Sequence, residues 1–415
     1  MRKKNIKGAT TPYAWVILTV LFVGLVASFG MRVSFGAYIS PWESDFSVNR
    51  TVVTSISSLS FIFYAIGQPL TARLNERFGK SIVPTVSILL VGVSLLLTSQ
   101  ASQIWQVYAL FGVGFALGVA GCCNVIAAAV ISNWFVENRG FAIGLVTSGM
   151  AVGQLILVPV NLFIIERLGW RTTMAMLSII IMVIVTPLFI LFLRFKPEEK
   201  GMKPYGYVES HEAELSGDVK DMGAKKSLPL LDVFKRRSFW LLAIPYFVCG
   251  FTDVGVINTH LIPMAEGKGF PVSGVALAFS LIALANIAGT IFLGHLSDIF
   301  SRKRQLAVIY AFRAVTFIIL ITIQRPWLLL LFAVLYGAVE LASVAPTSSL
   351  VVQLFEGYST GTIIGVVSVS HQLGGAVGSW VPGILYDLTK SYTIILVLSL
   401  ILLLGAAFLV LRVRE

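Results

Sequence analysis

Seven ionisable side chains interrupt the long apolar stretches of this 415-residue chain: Arg32, Asp253, His260, His295, Arg313, Glu340 and His371. A charge inside a bilayer is costly, so such groups face a cavity or a partner and mark the paths of ions and solutes. A guanidinium binds anions. A carboxyl group removed from water favours its protonated form, so it can exchange protons during a reaction cycle. The set therefore indicates recognition of a charged solute and proton exchange.

Arg32 and Asp253 lie 221 residues apart, which is also the offset of an internal repeat. They therefore occupy near-equivalent places in two repeated halves. An Arg–Asp pair between the halves can close an empty cavity, after which an anion takes the arginine and a proton neutralises the aspartate. Two alternatives stay open: a purely structural ion pair, or an Arg32 near the surface that extends its charge into water.

A polar stripe runs along the segment that contains Asp253. Tyr246, Cys249, Asp253 and His260 fall at i, i+3, i+7 and i+14, which is one face of a helix. This face is expected to be wet, and Asp253 is the first candidate for proton coupling. Glu340 is the second candidate. His260 lies near the end of its segment, where a merely interfacial polar residue is an equal alternative.

The remaining polar candidates have both structural and functional interpretations. Arg313 and Glu340 lie on successive segments and are predicted to neutralise each other as a structural pair. His371 can bind a solute or bond to a neighbouring helix. Single amides such as Asn124 and Gln154 contact solutes, but they also join helices at about 1 kcal/mol each. The predicted solute site is Arg32, Asn124, Gln154, Asp253 and His371, without catalytic residues, metal ligands or a cofactor.

The composition is that of a membrane protein. Hydrophobic residues make up 57% and charged residues 12%, against about 25% charged in soluble domains. Apolar runs of about 20 residues suit helices that cross a bilayer and are too long for barrel strands. The net charge of +11 sits in particular loops, so we exclude nucleic acid as a partner. The three cysteines lie inside apolar segments, so neither a disulfide framework nor a metal-ligand spacing is present.

Two polar segments, residues 69–80 and 291–303, repeat one another. We expect both to be loops whose charges contact each other at the cytoplasmic mouth and stabilise an outward-open state. The predicted gate residues are Arg73, Glu76, Arg77, Asp298 and Arg302. A duplicated membrane protein usually places its binding site between the two halves.

Glycines recur at the same offset. Gly144 and Gly153 align with Gly365 and Gly374. Small residues let membrane helices approach closely, so we expect all four glycines to lie at tight helix contacts.

The apolar runs predict an all-α membrane protein with twelve transmembrane helices in two pseudo-symmetric six-helix bundles. The predicted helices are 13–38, 51–71, 82–100, 105–131, 141–165, 172–194, 239–264, 273–296, 305–324, 328–351, 361–385 and 393–412. Residues 1–194 and 239–415 form the bundles, and the polar stretch 195–238 is a linker with too little apolar content for a core of its own. With the amino terminus inside, 23 of the 31 Lys and Arg residues lie inside and 6 outside, which predicts cytoplasmic termini.

Twelve helices, a central linker and the repeated Gly-x-Leu-x-Asp-type segment resemble the major facilitator superfamily. The second copy reads Gly294, Leu296, Asp298 and Arg302, whereas the first departs from the pattern at Ala72. The resemblance covers nearly the whole chain. It implies that helices 1, 4, 7 and 10 line a central cavity and that helices 3, 6, 9 and 12 are peripheral.

A narrower resemblance joins residues 134–144, Trp-Phe-x-x-x-Arg-x-x-Ala-x-Gly, to the monocarboxylate transporter family. In that alignment Arg32 falls where animal members carry a lysine that contacts substrate. Those members also carry an aspartate and an arginine on helix 8, where this chain has Ile282 and Asn286. The resemblance therefore implies a bacterial-type relative with a different or undefined substrate.

We predict a secondary transporter, not an enzyme, that moves a small organic anion across the cell membrane by alternating access coupled to protons. A proton-driven exporter of drugs or metabolites is the alternative. The expected partners are a small-molecule substrate, protons and membrane lipids, and the expected state is a monomer. Nothing in the sequence resembles a Walker loop, so ATP is not the predicted energy source.

Overall fold

The computed structural model describes residues 12–78, 81–207, 230–299, 301–355 and 360–413. Outside that description lie the side chains at positions 76, 230–231, 294–295, 297–299 and 360–362. Nine helices in the described ranges are long and apolar enough to cross a membrane. The longest, Arg139–Phe192, has 54 residues, and Gly169 interrupts it with φ 78° and ψ 164°. Because about 20 residues cross a bilayer, this stretch is two transmembrane helices.

The described chain forms twelve long helices, besides the short helix Leu230–Phe234, and they confirm the predicted all-α architecture. Helices α1 to α6 of the N-terminal half are Pro12–Phe46, Arg50–Phe78, Ile82–Ser99, Ile104–Trp134, 139–168 and 170–192. Helices α7 to α12 of the C-terminal half are Arg237–Gly267, Val272–Ile299, Arg302–Thr322, 326–354, Thr360–Thr389 and Thr393–Leu411. An even number of crossings puts the start of α1 and the end of α12 on one face, and the opposite face is called the distal face here.

The two repeated polar segments are not loops in the described residues. Helix α2 runs on to Phe78 and helix α8 to Ile299, so most of each segment is the last part of a helix. Arg, Lys and Glu are good helix formers, and charged residues therefore let each helix continue where the chain leaves the apolar layer.

The repeat is visible in equivalent helix contacts. A Cβ added to Gly153 of α5 would lie 2.6 Å from the Val26 carbonyl oxygen of α1, and one added to Gly374 of α11 would overlap Phe247 of α7. The two glycines align in sequence, and each packs its helix on the first helix of its own half. A Cβ added to Gly144 or Gly365 would meet no atom of the described structure within 4 Å, so the expected tight contacts are wrong for these two.

Helices α4 and α10 are both interrupted near mid-depth. Helix α4 breaks at Cys122–Cys123, where Cys123 is extended with φ −72° and ψ 165°. Helix α10 consists of Pro326–Gly337 and Val344–Leu354, so residues 338–343 are unwound. Non-helical backbone at membrane depth is tolerated where protein or a cavity surrounds it. Such broken helices line the substrate sites of many transporters.

The two halves meet along two helix pairs, α2 on α11 and α5 on α8. A third contact lies toward the distal face, where residues 34–38 of α1 touch residues 258–267 of α7. A Cβ on Gly36 would lie 2.8 Å from the Thr259 carbonyl oxygen, so the two backbones nearly touch. The cleft between the halves is therefore closed toward the distal face.

The first part of the predicted linker is structured. Residues 197–200 form a short 3-10 turn, and Tyr205 pairs with Phe135 in an isolated parallel bridge. The Tyr205 amide donates to the Trp134 carbonyl oxygen at 2.8 Å. The linker is thus held against the connection between α4 and α5 before it reaches residues 208–229, which lie outside the described residues.

Candidate functional site

Asp253 and Glu340 come together in the core of the C-terminal half, and each is only 2% exposed. The Asn258 amide nitrogen lies 3.4 Å from an Asp253 carboxylate oxygen and 3.5 Å from a Glu340 oxygen. Tyr336 donates its hydroxyl to Asp253 at 3.1 Å, and Asn286 donates its amide to Glu340 at 2.9 Å. The two carboxyl groups therefore form one cluster, the acid pair.

Local irregularities of the helices position both acids. Asp253 lies in a π-helical turn, Phe251–Ile257, and such turns occur often at functional sites. Glu340 lies in the unwound part of α10. Asn286 occupies the helix-8 position where the monocarboxylate transporter resemblance expects an arginine, and here it is a neutral partner of Glu340.

Arg313 of α9 is fully buried, and it forms hydrogen bonds with the unwound backbone of α10. Its guanidinium donates to the main-chain oxygens of Val339 at 2.8 Å and Glu340 at 2.5 Å, and to the Cys249 sulfur at 3.1 Å. The predicted Arg313–Glu340 charge pair is wrong in its geometry. Among the described residues, no carboxylate oxygen lies within 4.0 Å of the Arg313 nitrogens. The unwound carbonyl groups need a donor, and Arg313 supplies it.

Arg32 of α1 is half-buried at the junction of the two halves. Its guanidinium lies 3.8 Å from the Tyr64 ring centre and 4.6 Å from that of Phe61. It donates one hydrogen bond, 3.1 Å long, to the side-chain oxygen of Gln372 on α11. A cavity of about 30 Å³ adjoins it, which is room for a water molecule. Its wall consists of Phe29, Arg32, Val33, Phe35, Ser57, Ser60, Phe61, Phe111, Val254, Asn258 and Thr259.

Arg32 and Asp253 do not form the expected ion pair. Arg32 contacts Gln372 and two aromatic rings, and the ion pairs of the described residues do not include either group. Asn258 lies between the two regions, because it contacts the acid pair and also lines the Arg32 cavity. Asn258, Tyr336 and Gln372 were not predicted as site residues, because only the fold brings them close to Arg32 and the acid pair.

His371 lies beside Asp253 of the acid pair, and its predicted role in substrate binding stays a prediction. Ligand-type atoms of Cys249, Asp253 and His371 lie within 4.8 Å of one another, an arrangement that linear spacing could not reveal because α11 supplies the histidine. The Arg313 guanidinium at 3.1 Å from the same sulfur opposes binding of a metal cation. The His371 ring packs on Tyr246, with 4.7 Å between ring centres.

His260 is a core residue rather than an interfacial one, because it is 0% exposed. Its Nε2 donates to the Ser379 carbonyl oxygen at 2.7 Å, and its Nδ1 accepts from the Tyr392 hydroxyl at 3.1 Å. A carbonyl oxygen can only accept, which fixes the tautomer. His260 therefore joins α7 to α11 and α12.

Asn124 and Gln154 lie away from the Arg32 cavity wall. Asn124 accepts a 2.8 Å hydrogen bond from Thr147, which joins α4 to α5. Gln154 is 2% exposed, and its amide nitrogen has no partner among the described atoms. A role for either residue in substrate binding stays a prediction.

The predicted gate lies partly outside the described residues, because the side chains of Glu76 and Asp298 are among those left out. Arg73 and Arg77 are exposed at the end of α2. Arg302 donates to the side-chain oxygen of Gln353 at 3.1 Å. The gate therefore stays a prediction.

A second set of contacts, which was not predicted from the sequence, joins the halves at the distal face. Glu43 accepts two hydrogen bonds from the Arg50 guanidinium, at 2.6 and 2.8 Å, and Tyr392 accepts a third at 3.0 Å. Asp387 of α11 accepts from the Thr51 amide at 2.7 Å. We call Glu43, Arg50, Thr51, Asp387 and Tyr392 the distal latch. No local pattern signals it, because Arg50 and Asp387 are 337 positions apart.

A larger cavity of about 160 Å³ lies near the distal face within the C-terminal half. Lys268, Lys390 and Tyr392 line it together with residues from the ends of α7 and α9 and the start of α12. Burial lowers the pKa of the Lys268 ammonium, which donates to the Ile323 carbonyl oxygen at 3.1 Å. This cavity lies in one half, whereas the Arg32 cavity lies between the halves.

Two six-helix halves with broken helices beside a cleft define the class of secondary transporters. The chain belongs to the Major Facilitator Superfamily, whose family model matches residues 20–274 and 246–415. It is therefore a transporter of that superfamily. The predicted superfamily and the absence of enzyme function are confirmed by this match and by relatives named as transporters.

Similar proteins extend over nearly the whole chain. The chain is 24% identical to the MFS-type transporter YcxA of Bacillus subtilis, covering 93% of this chain and 92% of the relative. It is 23% identical to monocarboxylate transporter 12 of Homo sapiens, covering 100% and 85%. This supports the predicted resemblance to that family.

Solved structures share the fold. An inward-facing, occupied bacterial homologue of the human lysosomal transporter Spinster superposes with a TM-score of 0.77 at 16% identity, covering 98% of this chain and 97% of that one. A D-xylose–proton symporter gives 0.74 at 15% identity, covering 97% and 98%.

Proposed function

We propose that the chain moves a small organic anion across the cell membrane by alternating access, coupled to protons. The observation that carries the proposal is the Arg32 guanidinium in the cleft. No carboxylate of the described residues lies within 4.0 Å of its nitrogens. A cation at membrane depth without a fixed counter-ion is suited to a diffusible anion. The rings of Phe61 and Tyr64 cover its faces, so a carboxylate would bind at its N–H edge, where Gln372 is now the acceptor.

The coupling proton is proposed to bind the acid pair. Asn258 contacts both carboxyl groups from one nitrogen, so two like charges share a buried space, where both cannot stay ionised. Arg313 directs its donors to main-chain oxygens and a sulfur. Its single positive charge balances one ionised carboxylate, and a shared proton neutralises the other.

Anion binding at Arg32 and proton binding at the acid pair favour each other, because the positive charge of the proton offsets the negative charge that the anion brings into the cleft. Asn258 contacts both regions and is suited to connect them. Substrate and proton then cross together, and loss of the proton on the less acidic side favours release of the anion.

We place the termini and the linker in the cytoplasm because of the excess of Lys and Arg on that face. The closed distal face then corresponds to a cleft shut toward the outside. In this proposal the two bundles, 1–194 and 239–415, tilt about the cleft and the protein works as a monomer.

Uptake of labelled organic acids into proteoliposomes tests the proposal. With acid outside, the wild-type chain should accumulate a carboxylate, Arg32→Ala should abolish uptake, and Arg32→Lys should retain part of it. Uptake that is indifferent to both the pH step and Asp253→Asn would exclude proton coupling.

A proton-driven exporter is the second candidate, favoured by the aromatic wall of the cavity at Phe29, Phe61 and Phe111. Aromatic faces attract cationic amphiphiles. Efflux of a cationic dye that persists in Arg32→Ala but is lost in Asp253→Asn would support this function. Loss of carboxylate transport in Arg32→Ala would support the first.

A further inference from the structure

Gln372 connects the anion-binding candidate to the opposite half. Arg32 lies on α1 of the N-terminal half and Gln372 on α11 of the C-terminal half, with 3.1 Å between the guanidinium nitrogen and the amide oxygen. Both side chains are half-buried beside the cleft. A side-chain amide oxygen is a planar acceptor, like one oxygen of a carboxylate. The bond therefore puts a neutral acceptor where a bound anion would place a charged one.

We infer that Gln372 is an internal substitute for the substrate carboxylate, an inference that rests on the proposed function. It accepts from one terminal N–H of Arg32 while the cleft is empty, and a carboxylate that binds the same edge of the guanidinium through two hydrogen bonds displaces it. Occupancy and the contact between α1 and α11 then exclude each other, so binding releases one connection between the halves.

The replacement of Gln372 by a solute at Arg32 also favours negatively charged solutes over neutral ones. A carboxylate forms a charge-assisted hydrogen bond with a guanidinium, about twice as strong as a neutral one, so it displaces the amide of Gln372. A neutral solute offers Arg32 no better acceptor than the one already present. Gln372 is thus a specificity-determining residue that keeps neutral analogues of the substrate out of the site.

Binding to the purified full-length chain tests the inference, with propionate as probe and propionamide as its neutral counterpart. Gln372→Ala removes the competitor and should tighten propionate binding about fivefold, the worth of one modest hydrogen bond. Gln372→Glu supplies a permanent carboxylate and should weaken binding more than tenfold. Leu373→Ala, at a neighbouring residue that is 47% exposed, is the control and should bind like the wild type. Unchanged or weaker binding in Gln372→Ala would overturn the inference.

A second measurement needs no substrate. Phenylglyoxal modifies free guanidinium groups, and peptide mass spectrometry can follow its reaction at Arg32. The rate should rise in Gln372→Ala, fall in Gln372→Glu and stay unchanged in Leu373→Ala. Equal rates in the wild type and Gln372→Ala would overturn the inference. A different outcome is a rate that rises in Gln372→Ala without being suppressed by propionate or other carboxylates. That result would support the contact between Gln372 and Arg32 but contradict the proposed transport of organic anions.

Discussion

Asp387 of α11 caps the amino terminus of α2 through Thr51, across the two halves of the molecule. The Thr51 amide donates to the carboxylate at 2.7 Å and the Thr51 hydroxyl at 2.5 Å. The first amides of a helix have no partner within the helix, and a negative charge there also suits the helix dipole. Because the bond joins the two halves at the distal face, we expect it to break when that face opens and therefore to stabilise the closed state.

Asp387→Ala should therefore shift the population toward an open distal face. Loss of a helix cap is worth about 1 kcal/mol, which corresponds to a roughly fivefold change in the ratio of the two states. Spin labels at Asn49 and Thr389 on a background without native cysteines would report longer distances. Asp45→Ala is the control, because Asp45 pairs with Arg171 inside one half. An equal shift in both variants would contradict the role of Asp387.

Neutralising either member of the acid pair should uncouple transport from the pH gradient. If one proton is shared by Asp253 and Glu340, then Asp253→Asn and Glu340→Gln each abolish acid-driven accumulation but retain exchange of labelled for unlabelled solute. Proteoliposome flux under both conditions measures this. Asp232→Asn serves as the control, because Asp232 pairs with exposed Lys235. Accumulation that survives each single change and disappears in the double variant would indicate two independent proton sites.

Arg313→Met should destabilise the C-terminal half. It leaves two buried main-chain oxygens without their donor and the acid pair without a neighbouring cation, at a cost of about 3 kcal/mol. Thermal unfolding in detergent should show a clearly lower midpoint, with Arg313→Lys intermediate because it keeps the charge. Arg304→Met, at an exposed position of the same helix, should leave the midpoint near the wild-type value. A wild-type midpoint for Arg313→Met would show that the break in α10 does not depend on this side chain.

Gly153→Ala should destabilise the packing of α5 on α1. The new methyl group would lie 2.6 Å from the Val26 carbonyl oxygen, which is main chain and cannot move aside easily, so the expected cost is about 1–3 kcal/mol. Gly144→Ala adds the same methyl group into open space and should be neutral or stabilising, since alanine favours a helix by about 1 kcal/mol over glycine. Thermal unfolding compares the two. Equal effects would mean that the contact is not tight in the protein.

The helix count and the duplicated halves could be predicted from sequence because the bilayer fixes how long an apolar run must be. The helix ends could not, since charged residues continued α2 and α8 beyond the apolar layer. The breaks in α4 and α10 were also not predicted. A glycine directly precedes each break, Gly121 and Gly337, but glycines are frequent in transmembrane helices, and the interruption depends on tertiary partners such as Arg313.

The acids of the candidate site were found because a buried charge stands out in an apolar segment. Their partners were not found, because Asn258 reaches Glu340 over 82 positions and Arg32 reaches Gln372 over 340. The expected ion pair between Arg32 and Asp253 does not form, and the reason is geometric. A shared offset makes two residues symmetry-equivalent, and residues related by a two-fold axis touch only when they lie on the axis.

Helix α9 exposes Val308, Phe312, Val315 and Ile318 on its outer surface. On its inner side, Arg313 donates to the main-chain oxygen of Glu340 in α10. One face of α9 thus contacts the acyl chains of the lipid, and the opposite face lies near the acid pair. Any change in the lateral pressure or thickness of the surrounding lipid that tilts α9 pulls on the backbone of Glu340. We therefore expect the rate of the transport cycle to depend on the lipid environment.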